Sequence, residues 1–213
     1  GPDALRLADL RAAWSDPEVE AVICLRGGYG SARLLRAIDP AWMHLHDKPF
    51  VGYSDITALH ALRVREGLVG LHGPMLASDL VRPGREADAQ RLFHVLRAGM
   101  VAGTCWTPDL EDARLRIPGR CEGHLIGGNL SLVAALAGTP WAWPAAGGIL
   151  FLEDINEEPY RVDRMLCQLR DSGLLEGVSG FLIGRFSEVE DPYALVAEHL
   201  KPLGKPLLAG WPT

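Results

Sequence analysis

No run of five or more basic residues occurs in this chain, and acids outnumber bases by 27 to 21 over its 213 residues. A surface built to neutralise phosphates needs the opposite balance, so a dedicated nucleic-acid binder is excluded. Long apolar stretches are missing too. The longest near-continuous ones, Ala21–Leu25 and Ile149–Leu152, are of strand length and too short to span a bilayer. Four cysteines (Cys24, Cys105, Cys121, Cys167) show neither a CxxC pair nor zinc-ligand spacing and read as reduced thiols. The first residues are polar and helical in pattern, unlike a signal peptide. The chain starts at Gly1 without a methionine or a first strand and stops just after a strand-like Pro206–Ala209, so a fragment cut inside a domain at both ends is expected. What remains is ordinary: 48% apolar and 23% charged residues describe a globular protein of one large or two small domains.

Along the chain, Asp3 stands where it could cap a helix carrying Leu7, Leu10 and Trp14, which Asp16-Pro17 then breaks. Val19–Leu25 reads as a strand buried on both faces, with Pro49–Gly52 as a second strand and Leu68–Leu71 as a third. Helical patterns follow at Ser31–Ile38 and Asp55–Arg65. Strands alternating with helices over short turns predict a doubly wound α/β layer. The Glu86–Ala98 helix ends at Gly99, and a polar stretch with Pro108 and Asp109 suggests a linker over 101–118. Beyond it, Leu125–Asn129 leads into an apolar helix, Leu130–Leu136. A strand at Gly147–Glu153, an amphipathic helix at Arg161–Arg170 and a strand at Gly180–Ile183 follow. The expected division is 1–100, linker 101–118, and 119–213.

Three segments carry candidate chemistry. In Gly52-Tyr53-Ser54-Asp55 a serine sits on a strand-to-helix turn, where backbone N–H groups can stabilise an oxyanion. The second glycine of a GxSxG elbow is replaced by Ile56, and Ser54 could equally cap the following helix. Arg26-Gly27-Gly28-Tyr29-Gly30 is a glycine-rich turn matching neither a phosphate loop nor GxGxxG. It is either a tight turn without a ligand or the source of an oxyanion-hole amide opposite Ser54. Glu153 and Asp154 close a buried strand at the edge where α/β sheets place their sites, whereas Glu157 and Glu158 read as a solvated turn. Of seven histidines, His72 is the plausible local base for Ser54, although for each a structural role is the simpler reading. His44 and His46 alternate but lack a third metal ligand.

Together these segments resemble the LD-carboxypeptidase family of serine peptidases, which includes murein tetrapeptide carboxypeptidases and microcin C immunity peptidases. The resemblance rests on Asp16–Leu35, Lys48–His60, Gly67–Leu76, Glu122–Pro140 and Gly147–Leu166, in the family's order. It implies an N-terminal layer like class I glutamine amidotransferases and a smaller C-terminal α/β domain, both incomplete. It also implies Ser54 as nucleophile, Glu153 as the triad acid, and the Gly28 and Asp55 amides as oxyanion donors. Gly27, Tyr29 and Asn129 are the implied substrate contacts. The family's histidine follows the strand matching Leu207–Trp211, in a Gly-His dipeptide that this sequence does not reach. The 213-residue chain is therefore expected to be inactive on its own.

The activity implied is cleavage of an L,D-amide bond beside a free carboxylate, as in cytoplasmic recycling of murein tetrapeptide. The expected partner is a small peptide, with no nucleic acid, no membrane, no metal or organic cofactor, and a homodimeric assembly. Two alternatives stand beside it. One is a microcin-type peptidase acting on aminoacyl-adenylate mimics, with Trp141 or Trp143 stacking on the base. The other is a non-catalytic peptide-binding module.

Overall fold

The computed structural model describes residues 1–99, 103–104, 115–187 and 192–211. The chain divides into two compact units, Gly1–Cys105 and Trp106–Thr213. The 101–118 linker falls largely outside the described residues, and its last residues are not linker at all. Leu115–Ile117 form a strand, because the apolar–polar–apolar alternation there suits a sheet edge.

The first unit opens with helix α1 (Asp3–Ser15), which buries Trp14. Asp3 does not cap it. Pro2 holds the cap position, and the Asp3 carboxylate instead takes Arg6 at 2.6 Å and Arg33 at 2.7 Å. Strand β1 (Val22–Ile23) is shorter than the apolar run that predicts it. The Ser31–Ile38 pattern forms two 3₁₀ turns, Ser31–Arg33 and Leu35–Ala37, and ends in extended Ile38 ahead of Pro40. Helix α2 (Ala41–Leu45), strand β2 (Phe50–Gly52), helix α3 (Thr57–Arg65), strand β3 (Leu71–His72), a π-helical turn (Leu76–Leu80) and helix α4 (Glu86–Ala98) complete the unit. The three strands are parallel, in the order β1-β2-β3.

Behind β2 the core is built round one cation. Arg63, with its side chain 1% exposed, donates to the Val69 and Lys48 carbonyls and to Asp47. Its guanidinium lies 5.0 Å from the Trp14 ring centre and 5.8 Å from that of Phe50. A buried charge is tolerable only when hydrogen-bonded in this way.

The second unit holds the strand β4 (Leu115–Ile117), strand β5 (Leu125–Asn129), helix α5 (Leu130–Leu136), strand β6 (Ile149–Ile155), helices α6 (Pro159–Asp171) and α7 (Leu174–Gly177), strand β7 (Gly180–Ser187), helix α8 (Pro192–Leu200) and strand β8 (Leu207–Ala209). Its sheet runs β4-β8-β7-β6-β5, parallel except for β4. Among the described residues the sheet of this unit has five strands and that of the first unit three. The sequence pattern predicts Leu125–Asn129 as the lead-in to a helix. It is a strand: a Cβ on Gly127 would lie 2.1 Å from the Phe151 carbonyl oxygen, and its φ is +107°. Only glycine lets β5 approach β6 so closely. Among the described residues no helix is long and apolar enough to cross a membrane.

Candidate active site

Ser54 lies two residues past the end of β2, after Tyr53, and its backbone stands at φ +58°. A non-glycine residue there costs ~1–3 kcal/mol and persists only when its surroundings hold it. The capping alternative is not what is seen: neither the 3₁₀ turn Ser54–Ile56 nor α3 has a side-chain cap. Ile56, the residue that breaks the GxSxG pattern, packs its branched side chain back over Gly52, leaving only 2.9 Å for any Cβ at that position.

The glycine-rich loop lies against this turn. A Cβ on Gly27 would come within 3.0 Å of Ser54 Cβ and 3.1 Å of its Oγ. Gly28 and Gly30 take φ values of +110° and +108°. Asp55 ties the two segments together: its buried carboxylate accepts from Gly30 N at 3.2 Å, Ser31 N at 2.9 Å and Ser31 Oγ at 2.7 Å. Beside it, a cavity of about 690 Å³ is bounded by Arg6, Arg26, Tyr29 and Arg33, with Gly1 and Pro2 in its wall. Tyr29 is 85% exposed.

The histidines nearest the serine turn are poor bases. His60, whose Nε2 lies 2.8 Å from the Gly52 carbonyl oxygen, is lowered to about 4 by burial, with the Arg63 charge adding to the effect. His72, packed against Tyr53, is lowered to about 3, first by burial and then by His60. A base so weak takes a serine proton inefficiently.

In the second unit, Glu153 sits at the carboxyl end of β6, beside Asn129 in register. The β6–β7 register shifts between Leu152 and Asp154, a bulge of the kind that re-aims side chains next to functional sites. Glu153 is 5% exposed, and its carboxyl is pushed up to about 7. Burial is the main cause, the neighbouring Asp154 charge adds to it, and a hydrogen bond from Asn129 opposes both. Asn129 is itself buried. Its carbonyl accepts from Leu132 N at 3.3 Å as the α5 cap, and its Nδ2 donates to Asp154 Oδ1 at 2.8 Å. Asp154 Oδ2 accepts from Ser131 N and Oγ at 2.9 and 2.6 Å, the arrangement that Asp55 makes with Ser31 in the first unit.

The roles of the Asp55 and Asp154 carboxylates were not read from the sequence. A serine at a helix start, paired with an acid beginning another loop, is too common a pattern to single out. Trp143 is buried in its own unit, whereas Trp141 is partly exposed. Donor atoms of Asp163, Cys167 and His199 come within 4.8 Å of one another, and His199 Nε2 and Asp163 Oδ1 engage each other at 2.8 Å. The two residues lie 36 apart and meet only through the packing of α6 and α8, so their pairing is not visible in the sequence. His44 faces Glu66 at 3.3 Å.

Family models match both parts of the chain: the LD-carboxypeptidase N-terminal domain over residues 1–73 and the LD-carboxypeptidase C-terminal domain over residues 122–213. A putative carboxypeptidase of Streptomyces coelicolor is 46% identical, over 98% of this chain and 67% of its own length. A probable murein peptide carboxypeptidase of Bacillus subtilis is 43% identical, over 87% of this chain and 58% of its own. The chain thus spans about two thirds or less of these relatives. Among solved structures, muramoyltetrapeptide carboxypeptidase from Oxalobacter formigenes matches with a TM-score of 0.82 at 35% identity, covering 100% of this chain and 74% of that one. MccF in complex with glutamyl sulfamoyl guanosine shares the fold, with a TM-score of 0.86 at 22% identity, over 99% of this chain and 72% of its own.

Proposed function

The chain belongs to the LD-carboxypeptidase family, and from that membership we propose a serine-type carboxypeptidase that cleaves an L,D-amide bond beside a free carboxylate in murein-derived peptides. Ser54 attacks the scissile carbonyl. The histidine that the family carries after the strand matching β8 takes the proton and delivers it to the leaving amine. Glu153 orients that histidine and balances its charge. The Gly28 and Asp55 amides receive the oxyanion. Gly27, Tyr29 and Asn129 contact the peptide, Asn129 from its place beside Glu153 in register. Arg26, lining the same cavity as Tyr29, offers a cationic partner suited to a carboxylate.

The observation that carries the reading is the strained Ser54 turn held against the glycine loop. A module that only binds peptide needs no such strain. The relatives named for murein peptides favour this substrate over the nucleotide-linked peptides of the microcin branch, whose likeness here is one of fold. A class I glutamine amidotransferase-like first unit, a cytoplasmic setting and a homodimer belong to the same proposal. The test is Ser54→Ala in the protein at the length of its relatives, assayed on an L,D-tetrapeptide. Turnover falls by several orders of magnitude with melting unchanged. Near-normal turnover by the purified variant overturns the assignment.

A further inference from the structure

We propose that the Asp55 side chain is a positioning residue that holds the oxyanion loop in its active shape, a role separate from that of its backbone amide. This rests on the reading of Ser54 as nucleophile. Three of the five residues in Arg26–Gly30 are glycines, so the loop carries the backbone freedom that glycine brings and has little side chain with which to anchor itself. Its anchors come from outside. Asp55 grips the two consecutive amides of Gly30 and Ser31 and adds the Ser31 hydroxyl. Successive N–H groups converging on one anion are a backbone nest, here filled by the protein's own carboxylate. From the other side, Arg6 Nη2 donates to the Gly30 carbonyl at 3.3 Å while its own charge is held by Asp3 at 2.6 Å. The Gly30 residue is therefore clamped at both its N–H and its C=O.

Because Asp55 is bonded covalently to Ser54, the same clamp couples loop and nucleophile. With the carboxylate in place, the Gly28 amide and the strained Ser54 turn form one rigid unit. Without it, loop and serine move independently, and a preorganised donor becomes one that must reorganise during the reaction. Oxyanion donors of this kind contribute ~10²–10³-fold to kcat.

The experiment uses the protein at the length of its relatives, with Ser54→Ala, Asp55→Asn, Asp55→Ala and Ser31→Ala compared on an L,D-tetrapeptide. A peptidyl boronic acid serves as a probe whose tetrahedral adduct fills the oxyanion position. Asp55→Asn lowers kcat by ~10²-fold with KM within about threefold, and boronate affinity falls by a similar factor. Ser31→Ala, which deletes one bond of three, gives a smaller loss in the same two quantities. Formate added to Asp55→Ala restores part of kcat by refilling the nest. If Ser54→Ala is inactive while Asp55→Asn keeps its kcat, or loses kcat without losing boronate affinity, the positioning role is overturned and the nucleophile stands. An active Ser54→Ala variant overturns the underlying reading instead. Should both Asp55 variants fail to fold, Ser31→Ala decides: unaltered kcat and boronate affinity refute the clamp.

Discussion

Glu153 should make the protein less stable as its carboxyl ionises. Its carboxyl is moved from 4.5 to about 7, chiefly because burial penalises the charged form. Folding therefore strengthens proton binding, and the folded state holds more protons than the unfolded state throughout that window. Stability is highest below the ordinary glutamate range, falls as pH rises from about 4.5 to about 7, and levels off above. Some two and a half pH units at ~1.4 kcal/mol each give a loss of about 3 kcal/mol. Glu153→Gln keeps the shape without the ionisation. The variant matches the parent near pH 4.5 and gains about 3 kcal/mol on it by pH 8, whatever other groups titrate, since those are common to both chains. Urea unfolding of the two proteins at half-unit pH steps measures the difference. Curves that stay parallel from pH 4.5 to 8 refute the buried-carboxyl argument. Under the proposed triad, activity runs the other way, because orienting a histidinium needs the carboxylate. In the protein at the length of its relatives, activity should rise with pH as the carboxylate forms.

Three substitutions probe the geometry more locally. Gly27→Ala puts a methyl within 3.0 Å of Ser54 Cβ without requiring a positive φ, so kcat should drop ~10–100-fold with melting nearly unchanged; normal kcat would mean that the loop does not constrain the serine. Gly127→Ala drives a Cβ to 2.1 Å from the Phe151 carbonyl oxygen at φ +107°, and should destabilise the second unit by ~3 kcal/mol or more, read from its urea midpoint. Arg63→Met leaves the Val69 and Lys48 carbonyls without their donor and should cost ~3 kcal/mol in the same assay.

Both ordered strand-to-helix turns were legible in the sequence, for a physical reason. A buried parallel strand is a short apolar run, and the helix after it shows its own period, so the residues between them must stand at the sheet's edge. Ser54 and Glu153 could be named because their segments follow that rule and match a family's order. Strand β5 was not legible, since Gly127-Gly128 signals a turn until the close approach to β6 is seen. Strand β4 was hidden by its brevity: three residues acquire a ladder only when β8, some ninety residues later, comes alongside. The strain at Ser54, the two carboxylates each gripping a distant serine, and the rise of Glu153 to about 7 were decided by tertiary structure alone. A backbone torsion, a hydrogen bond between residues 24 apart and the loss of water round a carboxyl depend on what packs nearby, and local sequence says what a residue is without saying what surrounds it.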